Sequence, residues 1–266
     1  MNSLTIRYHM TVNSSATDSF ELLCEIEPAT GPDLTRVRRQ IALLGDVADS
    51  YLVPDNHMAR ATVSSIAVAR EVAALGGTAV ACVNSRDRNL LGFRRDLLTA
   101  AAYGVDRFLF VRGDDPAEGE RSTDLTVRRM IDDAHAYEER RFVVGATARI
   151  GTRLPRWKTA ADFLLTQVSY DFDRLMAWRE DLDYDGRVLA GVMVMASSTM
   201  AKRIAADVGE IGVPDDLIQA LDADRDAGVH RAIELIDKVR ESQAFDGVHL
   251  VPVSRYADIA ERLRRR

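Results

Sequence analysis

The strongest constraint on this chain is an alternation that repeats about eight times. From residue 20 onward, a short apolar run is followed each time by a longer stretch with helical periodicity. The runs are "ELLCEIE", "SYLVP", "TAVACVN", "RFLFVRG", "FVVGAT", "FLLTQVS", "VLAGVMVM" and "GVHLVPVS". Between the early ones lie "DLTRVRRQIALLGDV", "HMARATVSSIAVAREVAALG" and "NLLGFRRDLLTAAAYGV". In the last of these, Leu90, Phe93, Leu97 and Ala101 mark one helical face, with Arg94 and Arg95 turned away. Further helices are expected in "TDLTVRRMIDDAHAYEERR", "DFDRLMAWREDL", "STMAKRIAADVG", "DDLIQALDADRDAGVHRAIELIDKVRES" and "YADIAERLRRR". Strand then helix, eight times within 266 residues, predicts an α/β chain folded as one (β/α)₈ TIM barrel. A doubly wound sheet uses fewer strands and a glycine-rich turn after the first. Here the first strand runs into "EPATGPDLT", and the chain holds no G-x-G-x-x-G.

No linker rich in Pro, Gly or Ser divides the chain, so residues 1–266 are expected to form a single domain. Residues 1–19 form an N-terminal extension in which "LTIRYHM", residues 4–10, alternates like an extra strand capping the barrel bottom. The fifth unit is the weak one, since "RIGTRLPRWKTAAD" supports only a short or broken helix.

Composition narrows the function. A net charge of −6 argues against a general nucleic-acid binder, whose affinity rests on a basic face. The terminal "ERLRRR" is basic, but arginines in a last helical turn suit the helix dipole. Cys24 and Cys82 make neither a disulfide framework nor a metal-ligand spacing, and read as reduced core thiols. The start of the chain lacks a signal-peptide profile, and no apolar segment is long enough to span a bilayer, so a cytoplasmic protein is expected. Oligomeric state is not legible.

In such a barrel, active sites form at the C-terminal ends of the strands. That rim offers Glu25 and Glu27 from the first strand, Asn84, Arg86 and Asp87 from the third, and Arg112, Asp114 and Asp115 from the fourth. The sixth offers Thr166, Gln167 and Ser169, and the seventh leads into Ser197 and Ser198. The five histidines do not cluster in sequence; His57 and His135 read as helix residues, and neither a zinc site nor a Ser-His-Asp system is supported. Asp114 and Asp115 in "RGDDPAEG" serve equally well as turn formers. Glu21, Leu23, Glu25 and Glu27 share one face at period two. The first strand of a closed barrel has no solvent face, so this face turns inward. A partly desolvated carboxyl near the rim suits a general acid at neutral pH. Gln167 carries both a donor and an acceptor, which suits the edge of a heterocycle or, equally, a neighbouring loop.

Three stretches carry a family resemblance: "CEIEP" on strand one, "NSRDRNLLGFRRDLLTAAAYGVDRFLFVRGDDPAEG" through strands three and four, and "KTAADFLLTQVSYD" at strand six. Together they resemble methylenetetrahydrofolate reductase, a (β/α)₈ family, from about residue 20 to the C-terminus. The resemblance implies reduction of 5,10-methylenetetrahydrofolate to 5-methyltetrahydrofolate. It places the general acid at Glu25, and pterin contacts at Asp114 and Gln167. "VPDDLIQALD" resembles the family's folate-reaching helix and makes Gln219 a further contact. Asn84, Arg86 and Lys158 fall on cofactor-side positions. The departures also inform. Glu27 replaces an aromatic, Pro54, Asp55 and Asn56 replace T-Y-G, and Cys82 aligns nearest to the family's strand-three histidine. "GATARIGTRLP" replaces a flavin-contacting P-E-x-H-P, and the glycine of A-G-A is missing from "KTAAD". Flavin contacts are altered while proton-donor and folate positions are kept. That pattern implies loss of FAD and direct hydride transfer from NADH or NADPH, with no metal. A flavoprotein holding FAD through other residues, and a folate-binding barrel without turnover, remain open alternatives.

Overall fold

The computed structural model describes residues 20–57, 60–115 and 119–266; the expected strand over residues 4–10 lies outside them. Eight parallel strands close into a barrel in chain order. They are β1 (Glu21–Glu25), β2 (Ser50–Val53), β3 (Ala79–Asn84), β4 (Arg107–Val111), β5 (Val143–Ala148), β6 (Phe163–Val168), β7 (Arg187–Met193) and β8 (Gly247–Val251). Six fall within the apolar runs, and β5 and β7 exceed theirs by one residue, Ala148 and Arg187. Closure is made by β8 on β1, with Leu23 opposite His249 and Cys24 opposite Leu250.

The two faces of each strand go to different cores, as a period of two requires. Leu23, Leu52, Val80, Cys82, Leu109, Phe163, Leu165 and Leu189 fill the barrel interior. The intervening residues, such as Leu22, Cys24, Val83, Phe108, Phe110 and Val188, pack outward against the helices. In that outer layer Phe93 meets Phe110 edge-on at 5.4 Å between ring centres, a favoured aromatic geometry. Both cysteines are buried and free.

The helices are α1 (Thr35–Leu44), α2 (Ser65–Ala74), α3 (Leu90–Tyr103), α4 (Val127–His135), α5 (Phe172–Glu180), α6 (Ser198–Asp207), α7 (Asp215–Ala223), α8 (Ala227–Ser242) and α9 (Tyr256–Arg264). The weak fifth unit has only a 3₁₀ turn, Arg156–Ala160, between β5 and β6. One sequence expectation needs correction. Helix α2 starts at Ser65 rather than near His57. The preceding chain is held as a loop by Asn56 and Thr62, each accepting the other's backbone N–H, and by the bond from Val63 N–H to the Ala29 carbonyl. His57 is therefore not a residue of α2. The long segment before β8 is two helices, α7 and α8, broken around Asp224. Helices α6 and α7 form an excursion at the C-terminal end of the barrel, tied to β6 by the bond from Tyr170 N–H to the Ile211 carbonyl.

Candidate active site

Strand β1 turns Glu21, Leu23 and Glu25 inward and places them at successive heights in the barrel. Glu21, at the N-terminal end, is buried and accepts from Arg107 at 2.9 and 3.3 Å, from Arg187 at 2.7 Å and from the Ser50 hydroxyl. Burial opposes its ionisation, but Arg107, Ser50 and Arg187 together hold the carboxyl below its usual range. Glu25, at the C-terminal end, is different. Its side chain is 20% exposed, and its Oε2 lies 3.2 Å from Nε2 of His249, which is 12% exposed. That Nε2 is buried and makes no aligned hydrogen bond, so the two groups are in electrostatic contact without a directional bond. Glu27 lies beyond the end of β1, exposed, and pairs with Arg36. The inward face read from the sequence thus holds for Glu21, Leu23 and Glu25, and Glu27 leaves it.

Around this pair, three loops at the mouth are tied by a polar network. Asp55, after β2, accepts from Asn84 N–H at 3.0 Å, from Asn84 Nδ2 at 2.6 Å and from Arg88 at 2.6 Å. Asn84 Nδ2 also reaches Asp87 at 3.0 Å, and Asn84 Oδ1 accepts from Asp87 N–H. Arg86 is buried, pairs with Asp87, and donates to the Asp114 carbonyl at 2.9 Å and the Asn56 carbonyl at 3.4 Å. Asn84 and Arg86 were expected on the cofactor side; here their polar atoms are engaged by the protein, and they order the loops. The Arg-Gly-Asp of β4 has a steric reason. Gly113 has φ 78°, and a Cβ there would lie 3.1 Å from Asn84 Cβ and 3.2 Å from Arg86 Cβ. Only glycine accommodates both. The loop leaves Asp114 exposed, its backbone anchored by Arg86.

Gln167 is exposed at the end of β6, in the inward set with Phe163 and Leu165. Gln219 is exposed on α7. Lys158 lies in the 3₁₀ turn, 5.4 Å from the Trp157 ring centre, and donates to the Thr147 carbonyl. Both line a cavity of about 500 Å³ with Arg112, Arg121, Ser122 and Thr126. Burial lowers the Lys158 pKa, and none of the carboxylates among the described residues pairs with it. A half-buried ammonium next to an indole, with hydroxyls opposite, suits an anionic ligand carrying an aromatic ring. No group of His, Cys, Asp or Glu among the described residues is arranged to hold a metal ion.

Sequence reasoning missed His249, Asp55 and Arg88. His249 had a usable signal. "GVHLVPV" alternates, its inward set is Gly247, His249 and Val251, and in a closed barrel the last strand lies against the first. Asp55 and Arg88 had none, because their pairing spans two loops.

Comparison with known proteins bears out the resemblance. Residues 155–265 match the family described as methylenetetrahydrofolate reductase. That stretch contains Lys158, Gln167 and Gln219, whereas Glu25, Asn84, Arg86 and Asp114 precede it. Among solved structures, a Clostridium thermocellum protein described as binding two copies of 5-methyl-5,6,7,8-tetrahydrofolic acid is 11% identical. The match covers 93% of this chain and 96% of that one, with a TM-score of 0.65. A spore cortex-lytic enzyme of Bacillus cereus is 11% identical over 92% of this chain and 73% of its own, with a TM-score of 0.58. A tryptophan synthase from the hyperthermophile Pyrococcus furiosus is 13% identical over 92% and 96%, with a TM-score of 0.52. Likeness at these identities is one of fold. None of the curated proteins matches the chain by sequence. None of the helices is long and apolar enough to cross a membrane, among the described residues.

Proposed function

We propose that this barrel reduces 5,10-methylenetetrahydrofolate to 5-methyltetrahydrofolate in the cytoplasm, taking hydride directly from NADH or NADPH without FAD. The observation that carries the reading is Glu25: an inward, partly buried carboxyl at the barrel mouth, with His249 at 3.2 Å. It stands in a chain whose residues 155–265 match the reductase family. The shared fold of the Clostridium thermocellum protein, described as a methyltetrahydrofolate binder, supports folate as the ligand class.

The chemistry asks for a proton and a hydride at neighbouring atoms. Glu25 donates its proton to the bridging amine nitrogen of the five-membered ring. That carbon–nitrogen bond breaks, its electron pair stays on the protonated nitrogen, and the methylene carbon becomes an iminium with the other nitrogen. Hydride adds to this carbon and leaves a methyl group. Glu25 is then reprotonated from water at the mouth, with the His249 imidazole beside it at 3.2 Å. Asp114, Gln167 and Gln219 are the proposed pterin and folate contacts. The cavity beside Lys158 fits the nucleotide part of the reductant, with Lys158 and Arg112 for the phosphates and Trp157 as a stacking surface. The reduced nicotinamide supplies the hydride, and the barrel's part is close, oriented approach. The loss of FAD rests on the altered loop after β5, whose Arg149 pairs with Glu210.

The test is the purified protein with methylenetetrahydrofolate and NADH or NADPH. Nicotinamide oxidation matched by methyltetrahydrofolate formation is expected, with no flavin released on denaturation. A stoichiometric flavin band would overturn direct transfer. Folate binding with no nicotinamide oxidation would replace the enzyme with a binding barrel.

A further inference from the structure

The chain holds three lysines, and one is unlike the other two. Lys202, on α6, is exposed and pairs with Asp222 at 3.4 Å. Lys238, on α8, is exposed, with its ammonium 5.9 Å from the Phe172 ring centre. Lys158 is half-buried in the wall of the cavity of about 500 Å³, and burial there lowers its pKa. Its hydrogen-bond acceptor is a neutral group, the Thr147 carbonyl. A carbonyl oxygen accepts from an amine as well as from an ammonium, whereas a carboxylate would hold the proton on nitrogen. The same cavity offers an aromatic face and an anion-binding wall. The Trp157 ring centre lies 5.4 Å from the Lys158 Nζ. Arg112, which stands 3.8 Å from Asp115, lines the cavity together with Thr126 and Val127 at the start of α4. A guanidinium beside a helix N-terminus favours a phosphate.

We propose that Lys158 is a carbonyl-reactive amine, and that its cavity captures an aldehyde carried on a phosphorylated aromatic ring as a reversible imine. The ammonium first gives a proton to water. The Nζ lone pair then adds to the carbonyl carbon, a carbon–nitrogen bond forms, and the π pair moves to oxygen, which receives a proton from nitrogen. From this carbinolamine the hydroxyl leaves with the remaining nitrogen proton as water, and the nitrogen lone pair closes the C=N bond. Amine and aldehyde become imine and water, with no oxidant or reductant. Partial desolvation is what activates the amine as a nucleophile. Trp157 gives the ring a stacking face, and Arg112 with the start of α4 meets the phosphate. An imine at Lys158 fills the cavity assigned above to the reductant and is therefore a reversible block on turnover. That consequence rests on the function proposed above; the covalent step does not.

The probe is pyridoxal 5′-phosphate, added to the full-length protein at neutral pH. Borohydride then fixes the imine as a secondary amine, and peptide mapping locates it. Lys158 is expected to carry at least about fivefold more label than Lys202 or Lys238. Pyridoxal, which lacks the phosphate, should label Lys158 at least about fivefold less. Pyridoxine 5′-phosphate, which lacks the aldehyde, should compete and slow the labelling. Lys158→Arg keeps the charge without the nucleophile, and should lose the cavity adduct while unfolding in denaturant as the wild type does. Even label over the three lysines overturns the reactive amine, and equal label by pyridoxal and its phosphate overturns the phosphate wall. If Lys158→Arg does not fold, the comparison among the three lysines of the wild type still decides. NADH and NADPH separate this inference from the proposed function. Either reductant, where it occupies the cavity, should slow labelling of Lys158, and the unreduced adduct should inhibit turnover until it is diluted away. Label at Lys158 that neither nucleotide slows overturns the assignment of the reductant to this cavity and leaves the amine site standing.

Discussion

Glu21 and Glu25 lie on the same strand and the same face, four positions apart, and have opposite surroundings. At the closed end Glu21 is saturated: two guanidinium groups and a hydroxyl occupy its oxygens, and solvent is excluded. At the open end Glu25 has one imidazole neighbour, His249, at 3.2 Å, no aligned bond to it, and access to the mouth. A carboxylate held by several donors keeps its charge and serves the fold. One with few partners at the rim is open to a ligand. The contrast shows that partner count and access, more than residue type or facing, separate a structural acid from a candidate catalytic one.

The comparison breaks most sharply at the closed end. Glu21→Gln leaves Arg107 and Arg187 facing each other in a largely buried layer, and should destabilise the fold by about 3 kcal/mol. This is the low end for breaking a buried pair, because Arg187 is partly exposed. Denaturant unfolding checks it, and activity per folded molecule should be kept. At the open end Glu25→Gln should reverse the pattern, with stability near wild type and reduction slowed at least roughly 100-fold, measured by steady-state turnover. If Glu25→Gln unfolds the protein and Glu21→Gln only slows it, the two roles are exchanged. A smaller effect is expected from His249→Phe: about tenfold in kcat, the kinetic equivalent of a charged contact at the weaker end, with the melting temperature little changed. The finest test is pH. Glu21's folded pKa lies below its ordinary 4.5, so its contribution is complete above that value and is lost as pH falls through the lower, folded one. The stability gap between wild type and Glu21→Gln should therefore be constant near neutrality and narrow in acid below about pH 4.5.

Much of the scaffold was legible. All eight strands overlap apolar runs, because a strand buried on both faces must be apolar along its length, and a crossover helix must follow before the next parallel strand. The missing fifth helix was legible too, since "GTRLPRWKT" has too few apolar positions at helical spacing. The start of α2 was not. "HMARATV" has helical composition, but Asn56 and Thr62 close a loop there through reciprocal backbone-to-side-chain bonds that propensity does not encode. At the site, the inward turn of Glu25 was readable from alternation. That Asn84 and Arg86 are engaged by Asp55 and the Asp114 carbonyl was not, because these bonds join loops about 30 residues apart. Nor was the β6 bulge, which is set by what the facing glycine omits on another strand.

By itself, the sequence determined the number of strands, their order and which residues face the barrel interior. Those follow from local periodicities of two and 3.6 and from chain length. Only the tertiary structure decided that His249 meets Glu25 across the closure, that Glu21 is saturated while Glu25 is not, and that Gly191 faces the irregular end of β6. Each depends on the height and register at which distant strands meet. Closure sets that stagger for all eight strands at once, and no local stretch of sequence carries it.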